Sequence, residues 1–269
     1  MVKIKRILNY PGGKWSMANF IIDIMPEHET YVEPFFGSGA VFFNKDKVKV
    51  ETINDMDSRI VNFFEVCRDY PDELVRKIIY TPHSREEYEN SYIKSDDNIE
   101  DARRLMIRCW QAIGAKTSDI TGWRSLIESN GPDTSGEWAN VWKRIEDVAE
   151  RLKGVQIENQ DALKLLTRYN RPHVLTYVDP PYLLGTRSKR MYKHEFTDPE
   201  HADLLDLLAN FKGSVILSGY DNDMYNEKLI GWHKLYFNTT AEAGAKRVEV
   251  LWCNFEPPMQ MNLFECGGD

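Results

Sequence analysis

The stretch that most constrains this chain is Thr-Tyr-Val-Asp-Pro-Pro-Tyr at residues 176–182, where an apolar run stops at an acid and two prolines. The run Val174–Val178 has the length and residue types of an inner strand of a parallel sheet. Neither Pro180 nor Pro181 can donate to a strand ladder, and each holds the residue before it in an extended shape. The sequence therefore predicts a buried strand with a carboxylate and an aromatic ring at its carboxyl end, where open α/β sheets bind ligands.

An acid and a main-chain carbonyl at such a position can activate an amino group attached to an aromatic base. An exocyclic amine of this kind is a weak nucleophile, because its lone pair is delocalised into the ring. Two acceptors for its N–H groups, the Asp179 carboxylate and the Pro180 carbonyl, favour a more pyramidal and more nucleophilic nitrogen. Tyr182 is placed to stack on the base. The structural alternative is a turn that only ends the strand.

The four residues from Asp179 to Tyr182 resemble the catalytic motif of amino-group DNA methyltransferases. The chain as a whole resembles the DNA adenine methylase (Dam-like, D12 class) family over roughly residues 7–66 and 155–255. The resemblance implies an α/β fold with a mostly parallel, Rossmann-like sheet and a helical insertion for target recognition. It implies methyl transfer from S-adenosyl-L-methionine to N6 of a flipped adenine in duplex DNA, with S-adenosyl-L-homocysteine as the product. It assigns catalysis to Asp179, Pro180, Pro181 and Tyr182, with Asp179 also at the cofactor.

A glycine turn followed by an acid predicts the cofactor site. Gly37 and Gly39 permit positive φ and a close approach of a ligand, between a predicted strand and a predicted helix start. Asp55 follows the next strand, about 20 positions after the turn, where an acid can bind ribose hydroxyls. Asp57 is its competitor, with helix capping as the alternative role. Phe42 occupies the region of a third glycine, which disfavours pyrophosphate binding. The turn resembles the Phe-x-Gly-x-Gly motif of S-adenosylmethionine-dependent methyltransferases, and the resemblance assigns cofactor contacts to Glu33, Phe35, Gly37, Gly39 and Asp55.

The segment Tyr-Pro-Gly-Gly-Lys at residues 10–14 extends the predicted cofactor site. It lacks the spacing of a P-loop, and Ser16 after it is a candidate N-cap for an apolar helix. In the family the corresponding segment closes over the cofactor, and the resemblance assigns that role to Tyr10 and Lys14. An ordinary surface turn is the alternative.

A third predicted strand, at residues 155–159, leads to Asp161. The resemblance assigns Asp161 a contact with the adenine of the cofactor. Capping of the following helix is the alternative, and the two roles are compatible.

The net charge of −8 is unusual for a DNA-binding protein, because phosphate contacts come from Lys and Arg. Local basic patches therefore matter more than the sum. Three segments supply them: a polar, glycine-rich loop at 114–136, a basic run at 186–194 and a loop at 239–247. The alternatives are a surface loop with a buried Trp123 for the first and a solvated face for the second. The predicted DNA contacts are Lys116, Trp123, Arg124, Arg187, Lys189, Arg190, Lys193, Lys246 and Arg247.

The chain has 269 residues, of which 42% are hydrophobic, enough for one substantial core with a smaller appendage. We predict a methyltransferase core at residues 1–66 and 155–258, a helical target-recognition insertion at 67–154 and a flexible tail at 259–269. Without an apolar run near 20 residues or a signal-peptide pattern, we expect a cytoplasmic protein with no membrane partner. The scattered cysteines predict no metal site. Expected partners are duplex DNA and a companion restriction endonuclease, with the chain a monomer or weak dimer.

Three other functions stay open on the residues alone. An N4-cytosine DNA methyltransferase uses the same physics, but its motif more often begins with Ser where this chain has Asp179. A methyltransferase of RNA or of protein glutamine is a second alternative, although the glutamine enzymes usually carry Asn at that position. A DNA-binding module that has lost catalysis is the third, and the complete motif disfavours it.

Overall fold

The computed structural model describes residues 4–114, 116–117, 119–126, 131, 133–186, 190–240 and 246–258. These residues form seven strands and ten α-helices, with 3₁₀ turns at Val141–Arg144 and Leu184–Thr186. The strands are β1 (Thr30–Glu33), β2 (Val50–Asn54), β3 (Gln156–Glu158), β4 (Val174–Val178), β5 (Ser214–Gly219), β6 (His233–Thr240) and β7 (Lys246–Cys253). The helices are α1 (Ala18–Asp23), α2 (Ser58–Asp69), α3 (Pro71–Ile79), α4 (Arg85–Asn90), α5 (Asn98–Gln111), α6 (Thr134–Asn140), α7 (Ile145–Leu152), α8 (Ala162–Tyr169), α9 (Asp198–Ala209) and α10 (Asp223–Lys228).

The seven strands form one sheet in the order β3-β2-β1-β4-β5-β7-β6. The first five are parallel, and β7 pairs antiparallel with both β5 and β6. All five residues of β4 are buried, so the predicted inner strand is confirmed. The mostly parallel α/β fold class is confirmed with it.

The strand order places a ligand-binding crevice between β1 and β4. From β1 the chain proceeds to β2 and β3 on one side of the sheet, and then crosses to β4 and β5 on the other. Ligands bind outside the carboxyl ends of the strands at such a reversal. The glycine turn follows β1 and the Asp-Pro-Pro-Tyr motif follows β4, so both predicted motifs flank the same crevice.

Two hydrophobic clusters cover the two faces of the sheet. Leu175 and Tyr177 of β4 face one cluster, whereas Val174 and Val178 face the other, as the alternation of a strand requires. The first cluster also contains apolar residues of α2, α3, α5 and α7, and the second is closed by α8, α9 and α10. None of the described helices has an apolar stretch that would reach across a bilayer.

The segment 67–154 is predominantly helical, as its apolar periodicity predicts. Its helices bury side chains such as Leu74, Leu105 and Ile145 in the same cluster as the sheet residue Ile53. The predicted boundary at residue 66 falls inside α2. The division into a catalytic core and a recognition insertion remains a prediction.

Two local predictions are wrong. Ser16 does not cap α1, which begins at Ala18 with Met17 in the N-cap position and no side-chain cap. The helix start predicted after Gly39 is instead a set of irregular turns over residues 40–44. Phe42 and Phe43 there pack against each other and against Phe36, and this ring packing takes the place of a regular helix.

Candidate active site

A cavity of about 380 Å³ opens at the carboxyl ends of β1, β2 and β4. Its volume lies within the range of ligand pockets. Apolar rings and acidic side chains line it together, which suits a ligand with both an aromatic base and polar groups. The predicted cofactor residues that line it are Tyr10, Lys14, Glu33, Phe35, Gly37, Asp55, Asp161 and Asp179.

Main-chain N–H groups fix Asp55 beneath the glycine turn. Its two carboxylate oxygens accept hydrogen bonds from the N–H of Gly37 at 2.8 Å and of Asp57 at 2.9 Å. Burial raises the pKa of Asp55 to about 6, although these two hydrogen bonds oppose the shift. Asp57 caps α2 by accepting from the N–H of Arg59, so its predicted capping role is confirmed.

The two glycines of the turn have different reasons to be glycine. Gly37 has φ +51° and lines the cavity, and a Cβ there would lie 3.1 Å from the Tyr10 ring. Gly39 has φ +66° and lies beneath aromatic side chains, where a Cβ would approach Phe36 to 2.4 Å and Phe43 to 2.7 Å. Packing of these rings therefore requires glycine at position 39 irrespective of any ligand.

Lys14 lies against the motif after β4. Its ammonium donates to Asp179 Oδ2 at 2.9 Å and to the Gly12 carbonyl at 2.8 Å, and its Nζ is 4.8 Å from the centre of the Tyr182 ring. The side chains of Lys14 and Asp179 are only 8% and 17% exposed. The pair is thus a largely desolvated contact between residues 165 positions apart.

The charges around this pair favour an ionised lysine. Burial by itself would lower the pKa of Lys14, but the carboxylates of Asp179 and Glu249 outweigh it and raise that pKa. Burial raises the pKa of Asp179, and Lys14 opposes this shift by attraction and by its hydrogen bond. Without Lys14, the Asp179 carboxylate would therefore be protonated more readily.

The ring of Tyr182 has neighbours that the sequence motif does not predict. Its hydroxyl donates to Glu249 Oε2, and Tyr220 meets the ring edge-on with centroids 4.7 Å apart. Tyr220 in turn accepts a hydrogen bond of 2.9 Å from Arg247. Burial first, and then the charges of Asp179 and Glu249, raise the pKa of Tyr182 well above its ordinary value. Its phenol therefore remains a hydrogen-bond donor.

Glu33 is a buried acid on the cavity wall. It is 2% exposed, and the Tyr31 hydroxyl donates to its Oε2 at 2.9 Å. Burial raises the pKa of Glu33 to about 8 despite that hydrogen bond. Burial therefore favours the neutral, protonated form of Glu33.

Asp161 caps α8 through a hydrogen bond of 3.0 Å from the N–H of Lys164, and it also lines the cavity. The two roles weighed for it on sequence are thus compatible in the structure.

One wall of the cavity is formed by residues 190 and 192–197, which follow the Asp-Pro-Pro-Tyr motif in the sequence. Tyr192 approaches Gly12 so closely that a Cβ at that glycine would lie 2.2 Å from its hydroxyl oxygen. The segment is joined to the helical insertion, because the N–H of Thr117 donates to the Met191 carbonyl at 2.9 Å. Arg190 and Lys193, predicted as phosphate contacts, are among the residues that line the cavity, and Lys193 lies 3.5 Å from Asp57.

The other predicted DNA contacts are distributed over the molecule. The indole of Trp123 is half-buried, donates to Gln111 at 3.2 Å and lies 5.0 Å from the Arg85 guanidinium, so it has a packing role. Lys116 and Arg124 lie in the same connection between α5 and α6 and are also half-buried. Arg247 is exposed on β7. Arg187 and Lys189 lie outside the described residues, as does the side chain of Lys246.

Sequence reasoning missed Glu249, Tyr220 and the wall at residues 190–197. Glu249 carried a signal, since it is an acid between two valines in a predicted strand. No group of three or more His, Cys, Asp or Glu side chains within the described residues has an arrangement suited to a metal ion.

Comparison with known proteins gives matches to a family model, to related sequences and to a solved structure. The family model described as D12 class N6 adenine-specific DNA methyltransferase matches residues 10–241. A type II methyltransferase, M1.LlaDCHI of Lactococcus lactis subsp. cremoris, is 30% identical over 265 residues, which cover 91% of each chain. A DNA adenine methylase of Vibrio cholerae is 31% identical over 237 residues, covering 82% of this chain and 83% of the relative. A SAM-dependent methyltransferase of Agrobacterium tumefaciens has a TM-score of 0.38 at 12% identity and covers 89% of this chain and 59% of that one.

Proposed function

Since the chain belongs to the family of D12 class N6 adenine-specific DNA methyltransferases, we propose that it transfers a methyl group from S-adenosyl-L-methionine to N6 of an adenine flipped out of duplex DNA. The observation that carries the proposal is the position of Asp179. It follows β4, borders the cavity and is held by Lys14 at 2.9 Å. A carboxylate there can face a base on one side and a bound methyl donor on the other.

The cavity fits S-adenosyl-L-methionine. The positive φ of Gly37 exposes main chain to the cavity, and the buried Asp55 offers carboxylate oxygens to ribose hydroxyls. We assign the adenine contact to Asp161, and the cover over the ligand to Tyr10 and Phe35. When bound, the cofactor supplies a methyl group made electrophilic by a sulfonium.

Asp179 and Pro180 hold the amino group of the target base. The Asp179 carboxylate and the Pro180 carbonyl each accept one N–H of N6, which increases the nucleophilicity of the nitrogen. Asp179 is also placed to receive the proton that the nitrogen loses once it has gained a methyl group. Lys14 keeps the carboxylate ionised for both tasks, because its positive charge opposes the effect of burial on the pKa of Asp179. Catalysis comes mainly from holding two reactants in one geometry.

Tyr182 stacks on the flipped adenine, and Pro181 fixes the turn that presents it. The phosphates are bound by the predicted basic residues, of which Lys116, Arg124, Arg190, Lys193 and Arg247 have described side chains. The name of the Lactococcus relative, a type II methyltransferase, supports a companion restriction endonuclease for this cytoplasmic enzyme.

The test is incubation of the protein with S-adenosyl-L-methionine and mixed-sequence duplex DNA, followed by nucleoside mass spectrometry and methylation-sensitive sequencing. We expect N6-methyladenine within one recurring short sequence, and none with Asp179→Ala. N4-methylcytosine would retain the site and overturn the substrate base. An unmethylated product despite bound S-adenosyl-L-methionine would overturn the proposal and direct the search to RNA or protein acceptors.

A further inference from the structure

Glu249 on β7 is an acid that belongs to none of the motifs described above, yet it contacts the catalytic motif. Its Oε2 accepts a hydrogen bond from the Tyr182 hydroxyl. We propose that Glu249 is a positioning residue that fixes the ring of Tyr182, through its hydroxyl, in the orientation that stacks on the target base. The inference rests on the proposed function, because it assumes that Tyr182 stacks on a flipped adenine.

The alternation of β7 explains how Glu249 reaches the site. Val250 and Trp252 face the cluster closed by α8 and α9, whereas Leu251 and Cys253 face the opposite cluster. Glu249 shares the face of the latter pair. Val250 pairs with Gly219, the last residue of β5. Glu249 therefore lies beside the carboxyl end of β5, which is the end of the sheet where the catalytic motif lies. On this face of β7, apolar side chains lead up to the site, and the Glu249 carboxylate lies at the site itself.

A carboxylate at this depth needs a hydrogen-bond donor. Glu249 is only 8% exposed, and a buried charge without partners is strongly unfavourable. The Tyr182 phenol supplies the donor, and the positive charge of Lys14 lies on the same side of the site, 4.8 Å from the phenol ring. A charge-assisted hydrogen bond of this kind is stronger and more directional than a neutral one.

The position of the contact is suited to orienting a ring. A tyrosine side chain turns about two torsions, and an anchor on the hydroxyl, the atom farthest from the main chain, restrains both. Tyr220 adds an edge-on contact at 4.7 Å, and its own hydroxyl is held by Arg247, two residues before Glu249 on the same strand. β7 therefore holds the hydroxyls of both tyrosines. Stacking depends on the plane of the ring, so loss of this anchor misorients the stacking surface while leaving the cofactor cavity intact.

The test is a double-mutant cycle on Tyr182 and Glu249, with S-adenosyl-L-methionine affinity, KM for DNA and kcat measured for every variant. Tyr182→Phe retains the ring and removes the hydroxyl, and Glu249→Ala removes the acceptor. We expect each to lower kcat/KM for DNA about 10- to 100-fold, the range for loss of a hydrogen bond to a charged group. We expect the affinity for S-adenosyl-L-methionine to stay within about twofold of the wild type. The double variant should be no worse than Tyr182→Phe alone, because the contact that Glu249→Ala removes is already absent from Tyr182→Phe.

Glu249→Gln separates the hydrogen bond from the charge. Its amide oxygen still accepts from the phenol, so we expect it to retain activity within about threefold of the wild type. Val248→Ala is the matched control, since Val248 is 46% exposed on the opposite face of β7. If Glu249→Ala does not fold, Tyr182→Phe and Glu249→Gln carry the test, with the former impaired and the latter active.

Additive losses in the double variant, or a Glu249→Gln variant as impaired as Glu249→Ala, would overturn the inference and leave Glu249 as a charge acting on Lys14. Wild-type activity in Glu249→Ala would also overturn it. A wild-type protein without methyl transfer would instead overturn the proposed function.

Discussion

The two halves of the site are built in different ways. The half assigned to the cofactor, at the ends of β1 and β2, is held by main-chain groups, whereas the half assigned to the base, after β4, is held by side chains from distant segments. Main-chain contacts tolerate changes in side chains. Contacts between charged side chains depend on every partner. The two halves should therefore respond differently to substitution.

In the cofactor half, Asp55 accepts from two main-chain N–H groups, and its neighbour Asn54 donates to the carbonyls of Pro34 and Gln160 at 2.9 and 3.0 Å. In the base half, Asp179 is paired with Lys14 near the start of the chain, and Tyr182 with Glu249 near its end. Only the contacts of the cofactor half are determined by the register of neighbouring strands.

The largest effect is expected from Asp179→Ala. This change removes the acceptor for the amino group and leaves Lys14 buried without its carboxylate partner. We expect methyl transfer to fall at least about 1,000-fold, while S-adenosyl-L-methionine affinity changes little because the contacts of Asp55 are untouched. Calorimetry and a single-turnover assay measure the two quantities. Retained activity would contradict the mechanism, and a parallel loss of cofactor affinity would show that the two halves are one unit.

The second-largest effect is expected from a change at Lys14. The family resemblance assigns Lys14 a contact with the cofactor, whereas in the structure it is paired with Asp179. In Lys14→Met the Asp179 carboxylate loses the charge that opposes burial, so its pKa rises further. Since the ionised form accepts the amino group, we expect activity at pH 7 to fall about 100-fold and to recover as the pH rises. The pH dependence of kcat measures this.

Lys14→Arg is the control, because it retains the positive charge and should keep the wild-type pH profile at a reduced rate. A wild-type pH profile in Lys14→Met would mean that Lys14 does not set the ionisation of Asp179. Lys14 would then belong to the cofactor half.

The contrast explains why the sequence predicts one half of the site better than the other. Glu33 pairs with Ile53 in the register of β1 and β2, so Gly37 and Asp55, a few residues further on, must meet at one edge of the sheet. A motif with this spacing can be recognised from the local sequence alone. The pairing of Lys14 with Asp179 spans 165 positions, and no periodicity encodes it.

The same reasoning applies to the fold. The strands are predictable because their apolar runs have the length of buried strands, as β4 shows. The helix predicted after Gly39 fails because Phe42 and Phe43 pack against each other and against Phe36, and packing of the rings overrides the local tendency. Glu249 was missed because a single acid in a strand does not indicate which side chain it will contact.

Asp55→Asn tests the cofactor half and should have a smaller effect. Because Gly37 and Asp57 donate to different oxygens of Asp55, the amide oxygen of Asn keeps one of these two hydrogen bonds and the other is lost. Loss of the charged acceptor should weaken S-adenosyl-L-methionine binding about 10-fold at pH 7.5. Since the pKa of Asp55 is about 6, the wild-type affinity should fall as the pH drops below 6, whereas that of Asp55→Asn should not. Calorimetry from pH 5 to 8 measures both.

Asp57→Asn is the matched control, since Asn caps helices as well as Asp does and Asp57 accepts from Arg59. We expect its cofactor affinity to stay near that of the wild type. A loss as large as that of Asp55→Asn would identify Asp57 as the ribose ligand instead.

The smallest effect is expected from Arg190→Ala, which tests where the boundary between the two halves lies. Arg190 is exposed and lines the cavity that we assign to the cofactor, although the sequence predicts it as a phosphate contact. As a phosphate contact it should account for about one unit of the slope of log affinity for DNA against log salt, and its loss should weaken DNA binding several-fold at physiological salt.

Fluorescence anisotropy over a salt series measures the slope, with Arg68→Ala as the control, because Arg68 is paired with Asp69 at 2.7 Å and has no predicted DNA role. An unchanged slope together with weaker S-adenosyl-L-methionine binding would assign Arg190 to the cofactor half. The basic run after the catalytic motif would then serve to close the cavity rather than to hold the DNA strand.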